Sequence, residues 1–247
     1  MALIEEFNSQ GNILFRYRSY IPIIILIAAL VLYYFQLHTG LDNFHGYYPW
    51  LCLGVSLLGL IIRVYTVGHT PKNTSGRNTG EGQLADTLNQ TGIYSLVRHP
   101  LYLGNFLMYL GLAMITGHLW FVISFVLLYW LYYERIMFAE EHFLRNKFGE
   151  QYLKWAASVP AFVPKLGNMA SPNLSFSWKK VLKKEKNGIA ALFGLFYVFY
   201  AFHIWALHPE LSYWNNIWFC LFVSSLTLYL ILKILKYQTN WLEQEGR

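Results

Sequence analysis

Six runs of apolar residues, 21–37, 47–68, 101–117, 118–134, 188–207 and 213–232, decide most of what this chain can become. Each is long enough, or nearly so, to cross a hydrocarbon core that asks for roughly 20 residues. Among the Lys and Arg residues only Arg63 lies inside a run. A backbone in lipid must satisfy its own hydrogen bonds. The expected fold is therefore all-α and integral to a membrane, with about six transmembrane helices. The third and fourth runs are joined only by Gly117 and His118 and read as one tight helical hairpin. Composition agrees, since 13% of residues are charged, about half the ~25% of soluble domains.

A formal net charge of +6 raises the question of a nucleic-acid partner, and the positions of the charges answer it. None of the 19 Lys and Arg residues falls in 38–46, 117–118 or 208–212, the segments that follow runs one, three and five. That one-sidedness is the positive-inside pattern, and it puts both termini in the cytoplasm. Topology and attraction to anionic lipid, ~1 kcal/mol per residue near the surface, account for the basic charge. The expected partner is a lipid or lipidated substrate, with no nucleic acid. The short extramembrane loops point to a bacterial inner membrane. No cleavable signal peptide is evident, because the first run is too long for an h-region. Cys52 and Cys220 stand alone in apolar runs, which gives neither a disulfide framework nor metal-ligand spacing.

Four segments follow: residues 1–46 with the first span, 47–166 as a core, 167–187 as a Pro/Ser/Lys-rich linker, and 188–247 as a two-span hairpin. Two stretches on the basic side, 69–99 and 135–187, are too long to be mere connectors, and long ordered loops in compact proteins are usually functional. The stretch GEGQLA at 80–85 matches a dinucleotide fingerprint formally, but that fingerprint needs a βαβ unit around it. Membrane helices flank it here, so the match is read as chance.

The chemistry is expected around residues 92–106 and 138–160. Pro100 suits the first turn of the third span because it has no N–H to leave unsatisfied. That sets Arg98, His99 and Tyr102 about a helix N-terminus, where free N–H groups favour a carboxylate or phosphate. The bland alternative is an interfacial belt of Arg and Tyr. Farther on, Leu144, Phe148, Tyr152 and Trp155 recur at helical spacing as an apolar stripe, and Glu140 and Glu141 border it. Carboxylates on a buried side are costly unless paired, which makes both site candidates or partners of a nearby cation. Arg63 either snorkels to the headgroups or faces the bundle to meet an anionic substrate.

Three ordered blocks carry a resemblance: R-H-P-x-Y-x-G at 98–104, E-E-x-x-L-x-x-x-F-G-x-x-Y at 140–152, and V-P-x-F-x-P at 159–164. Over roughly residues 50–166 the chain resembles the isoprenylcysteine carboxyl methyltransferase and phospholipid methyltransferase group. The resemblance implies a membrane enzyme using S-adenosyl-L-methionine without a Rossmann domain, under a cytoplasmic cofactor-binding lid and helix. It implies cofactor contacts at Asp86, Thr87, Leu88, Asn89, Tyr94, Arg98, His99, Pro100, Leu101, Tyr102 and Glu140. In the prenylcysteine enzymes an arginine just before the Glu-rich segment meets the substrate. Arg135 is its nearest counterpart here, displaced by one position. Arg63, Arg135 and Glu141 are the candidate catalytic residues.

Lys72, Arg77, Arg98, Arg63 and Arg135 give a cationic surround, which favours an anionic oxygen as acceptor. A lipid phosphate, such as the 1-phosphate of lipid A, or a prenylcysteine carboxylate fits. Phosphatidylethanolamine N-methylation is the alternative within the group. Membrane sterol reductases resemble the same R-H-P-x-Y and E-E blocks but bind NADPH, which makes them the alternative outside it. The last two spans lie beyond the resemblance and receive no role from it.

Overall fold

The computed structural model describes residues 2–18, 20–39, 44–74, 77–79, 82–167 and 169–246, and the side chains of Ile21, residues 77–79, and 82 and 83 are left aside. Eight helices are present among the described residues: α1 (Leu3–Arg16), α2 (Ile21–Leu37), α3 (Tyr48–His69), α4 (Pro100–Met114), α5 (Leu119–Phe148), α6 (Glu150–Ser158), α7 (Trp178–Leu207) and α8 (Ile217–Gln238). A two-stranded antiparallel hairpin, β1 (Arg77–Thr79) and β2 (Gly82–Leu84), interrupts them. It carries no βαβ unit around residues 80–85, of which 80 and 81 lie outside the described residues.

The chain is an integral membrane protein. Among the described residues, α3, α5, α7 and α8 are long and apolar enough to cross a bilayer, while α2 and α4 are shorter apolar helices. The expected count of six therefore rests on two elements that length alone does not secure. At 15 residues, α4 spans about 22 Å, less than the ~30 Å hydrocarbon core. Packing fixes it instead. Along α3, a Cβ on Gly59 would collide with the Gly104 carbonyl and Met108 N, and one on Gly111 with Ser56 and the Cys52 carbonyl. Lipid gives no hydrophobic drive to helix association, so such close backbone approach holds the pair together. Ser56 Oγ adds a hydrogen bond to the Met108 carbonyl at 2.9 Å.

The α4–α5 hairpin turns at Gly117, whose φ is +68°, and His118 caps α5 by accepting from Phe121 N–H. Beyond the span read from sequence, α5 continues without a break to Phe148, so the glutamates ride on the membrane helix itself. Gly149, at φ 50° and ψ −126°, then redirects the chain into α6. The expected apolar stripe survives the break: Leu144, Phe148, Tyr152 and Trp155 gather with Leu88 and Tyr94 in one cluster. Helix α1, which the sequence reading left without structure, packs on α5. Phe7 meets Phe138 edge-on at 5.7 Å, and Tyr132 Oη donates to the Leu14 carbonyl at 3.0 Å.

The segment read as a linker over 167–187 is one only to residue 177. Ser177 caps α7, so residues 178–187 are the first turns of a 30-residue helix. The preceding strap, residues 159–167 and 169–177, is tied down rather than free. Arg98 N–H and His99 N–H donate to the carbonyls of Pro160 and Ala161, Lys165 N–H to Leu96, Gly92 N–H to Ala170, and Ser177 N–H to Gly68.

Candidate active site

The site grows from the start of α4. His99 is its N-cap residue and Pro100 its first helical residue, which aims the His99 ring at the two consecutive glutamates on α5. Glu141 Oε1 lies 2.9 Å from His99 Nε2 and Glu140 Oε2 lies 3.6 Å from Nδ1. Burial works against a proton on this ring, but the two carboxylates outweigh it and push the His99 pKa up to about 9. The ring is therefore an imidazolium at neutral pH. Arg98 closes the other side of Glu141, with Nη2 donating to Oε2 at 3.2 Å, and its Nη1 donates to the Ala156 carbonyl at 2.8 Å. Two cations thus face two anions, and the cluster is close to neutral.

Tyr102 joins this cluster from one turn along α4. Its hydroxyl donates to Glu140 Oε2 at 2.8 Å, and its ring stacks on His99 with 5.5 Å between centroids. Tyr129 Oη donates to the Tyr102 carbonyl at 2.7 Å, which fixes that turn against α5. From the other side Trp155 Nε1 donates to the Tyr94 carbonyl at 3.0 Å. Burial first, and the Glu140 charge second, push the Tyr94 phenol above its ordinary pKa, so it stays a neutral donor.

These groups open onto one cavity of ≈1690 Å³, larger than the ~300–1,000 Å³ of most ligand pockets. Its wall includes Thr87, Leu88, Asn89, Tyr94, Arg98, His99, Pro100, Leu101, Tyr102, Glu140 and Glu141, together with Arg63 and Arg135. Both glutamates therefore face it. Asp86 stands apart: it is exposed, is absent from the wall, and its N–H is held by the Asn73 carbonyl. The expected anion-binding helix start is altered as well, because the strap carbonyls take the N–H groups of Arg98 and His99.

The arginines are more engaged than the sequence suggested. Arg63 gives Nε and Nη2 to the two oxygens of Glu185 at 2.8 and 2.7 Å, and Nη1 to Asn105 Oδ1 at 2.6 Å. It faces the bundle and does not snorkel. Arg135 Nη1 bonds Glu134 at 2.8 Å and its guanidinium lies over Phe7 at 3.6 Å. With Arg98 on Glu141, the cationic surround is largely balanced inside the chain, and Arg77 offers no described side chain. Sequence reasoning missed Glu185 and Asn105. The signal for Glu185 was a lone acid in the basic stretch KKEK, where a span begins.

Residues 49–151 match the sequence model of the family described as phospholipid methyltransferase. The chain is similar to the protein-S-isoprenylcysteine O-methyltransferase of Schizosaccharomyces pombe, 29% identical over 47% of this chain and 50% of the relative. It is similar to a cobalt-zinc-cadmium resistance protein of Cupriavidus metallidurans, 39% identical over 34% of this chain and 39% of the relative. Protein-S-isoprenylcysteine O-methyltransferase B of Arabidopsis thaliana is 36% identical over 30% and 37%. The chain spans about half the length, or less, of these curated relatives. No solved structure matches the chain.

Proposed function

We propose, from the match of residues 49–151 to the phospholipid methyltransferase family, that this chain is a membrane methyltransferase. It uses S-adenosyl-L-methionine to methylate an acidic group of a lipid or lipidated acceptor. The observation that carries this reading is the continuity of one cavity from the polar His99–Glu140–Tyr102 end into the apolar bundle between α2, α4 and α7. The residues suit the cofactor, and the volume leaves room for a second ligand. Glu140 accepts hydrogen bonds from an ammonium or a ribose hydroxyl, and the Tyr94 and Tyr102 rings offer faces to a sulfonium or a purine. Leu88 and Trp155 give an apolar shelf beside them. The bound cofactor supplies an electrophilic methyl group. The chain supplies orientation and a site screened from water, and positioning of this kind contributes up to ~7–11 kcal/mol.

A prenylcysteine carboxylate is the acceptor to test first, because several relatives are named for that chemistry. The acidic headgroup of a lipid, such as a lipid A phosphate, comes next. A second reading, N-methylation of phosphatidylethanolamine, gains from the family description and from the internal pairing of Arg63 and Arg98. Purified protein with labelled S-adenosylmethionine and N-acetyl-S-farnesylcysteine should yield a product one methyl group heavier. Label in phosphatidylethanolamine vesicles instead would favour the amine reading. NADPH binding without methyl transfer would overturn both in favour of a reductase. We further propose that both termini face the cytoplasm of a bacterial inner membrane, as the one-sided Lys and Arg distribution suggests.

A further inference from the structure

The Arg63–Glu185–Asn105 group joins three helices, α3, α7 and α4, inside the bundle. Glu185 is only 1% exposed, whereas the Arg63 side chain keeps 21%. A buried ion pair is weak evidence for stability, since apolar residues of similar volume often do as well. Within a membrane protein such a pair points to a ligand path. Glu185 grips one edge of the fork and Asn105 takes one more donor. Three of the five guanidinium N–H groups are thus held among the described residues, and two are left to point elsewhere. The same cavity passes this group and continues between apolar side chains of α7 and α8, including Ala191, Leu192, Leu195 and Phe222. Gly188 lines the cavity beside this group, and a Cβ there would make only an ordinary contact with Glu185 Oε2 at 3.6 Å.

We propose that the C-terminal helix pair, outside the family match, completes the acceptor side of the site. Glu185 is a positioning residue that fixes the Arg63 fork, the free edge of the fork holds the anionic headgroup of the acceptor, and the lobe beside Leu195 and Phe222 takes its hydrocarbon chain. The acceptor is thus an amphiphile whose anionic head meets α3 and α7 while its hydrocarbon chain lies between α7 and α8. This inference rests on the methyltransferase reading, and the experiment separates the two. Methyl transfer is measured with N-acetyl-S-geranylcysteine, N-acetyl-S-farnesylcysteine and N-acetyl-S-geranylgeranylcysteine, and cofactor affinity is measured by calorimetry as the check on folding.

Glu185→Gln should raise the KM for all three probes at least tenfold with kcat changed less than threefold, and Glu185→Asp should recover part of the loss. Leu195→Trp should raise the KM of the geranylgeranyl probe several-fold more than that of the geranyl probe, a change in chain-length preference that a merely structural residue would not cause. Wild-type KM in Glu185→Gln, or an unchanged length preference in Leu195→Trp with cofactor affinity intact, overturns the proposal and leaves the methyltransferase reading standing. No transfer to any probe by the wild-type protein overturns the prenylcysteine reading and this inference with it.

Discussion

With a carboxylate beside each ring nitrogen, His99 keeps its proton to higher pH than a free imidazole. Its pKa of about 9 lies above the ~6.5 of an unfolded chain. The stabilisation it brings is therefore complete below about pH 6.5, declines above that, and is lost as pH rises through about 9. The melting temperature of the solubilised protein should fall over that window, and Glu141→Gln should start the fall at lower pH. A profile flat to pH 10 would contradict the pairing. Cofactor binding should also respond at this scale. His99→Ala and Glu140→Gln are each expected to weaken S-adenosylmethionine at least tenfold in calorimetry, about 1.4 kcal/mol, and unchanged affinity in both moves the site elsewhere. The sequence made these residues legible because their blocks are local in chain order. It could not show that Glu185, 122 residues from Arg63, would meet it, because nothing in a helical pattern says which charge finds which.

At the scale of elements, apolar run lengths located the helices, and their ends were where the reading strayed. Periodicity cannot report that α5 crosses the expected boundary near residue 134, because the polar turns after it are still helical in pattern. The same blindness turned the first ten residues of α7 into a linker: their Lys-rich composition resembles a tail, yet lysine is a good helix former. Helix α1, 14 residues and amphipathic, escaped because a search for spans looks for uniform apolar runs. Gly149 is the element break that can be tested cleanly. Its backbone at φ 50° is one that side-chain-bearing residues adopt rarely, and a Cβ there would meet nothing within 4 Å. Gly149→Ala therefore isolates backbone strain. It should cost about 1–3 kcal/mol, read as a lower melting temperature, and a neutral result would mean that α5 and α6 can join in another geometry.

For the whole molecule, the charge asymmetry makes a statement about orientation. In a background with Cys52 and Cys220 replaced by Ala, a cysteine introduced as Glu210→Cys should react with an impermeant reagent only from the non-cytoplasmic side. Reaction from the cytoplasmic side would invert the arrangement. The balanced charge of the interior was not legible at this scale either, since a count of Lys and Arg around the core sees the cations and not the acids brought against them by folding.

The strap of residues 159–167 and 169–177 has a consequence for biogenesis. Its carbonyls hold the N–H groups that precede Pro100, and it leads directly into α7, which brings Glu185 to Arg63. A ribosome delivers the chain from its N-terminus, so α3, α4 and α5 can insert with His99, Tyr102, Glu140 and Glu141 already together while Arg63 still lacks Glu185. A nascent protein at that stage would carry the polar end of the pocket without the strap that holds its rim. The strap and the final helices would then add the other end after the core is already in the membrane.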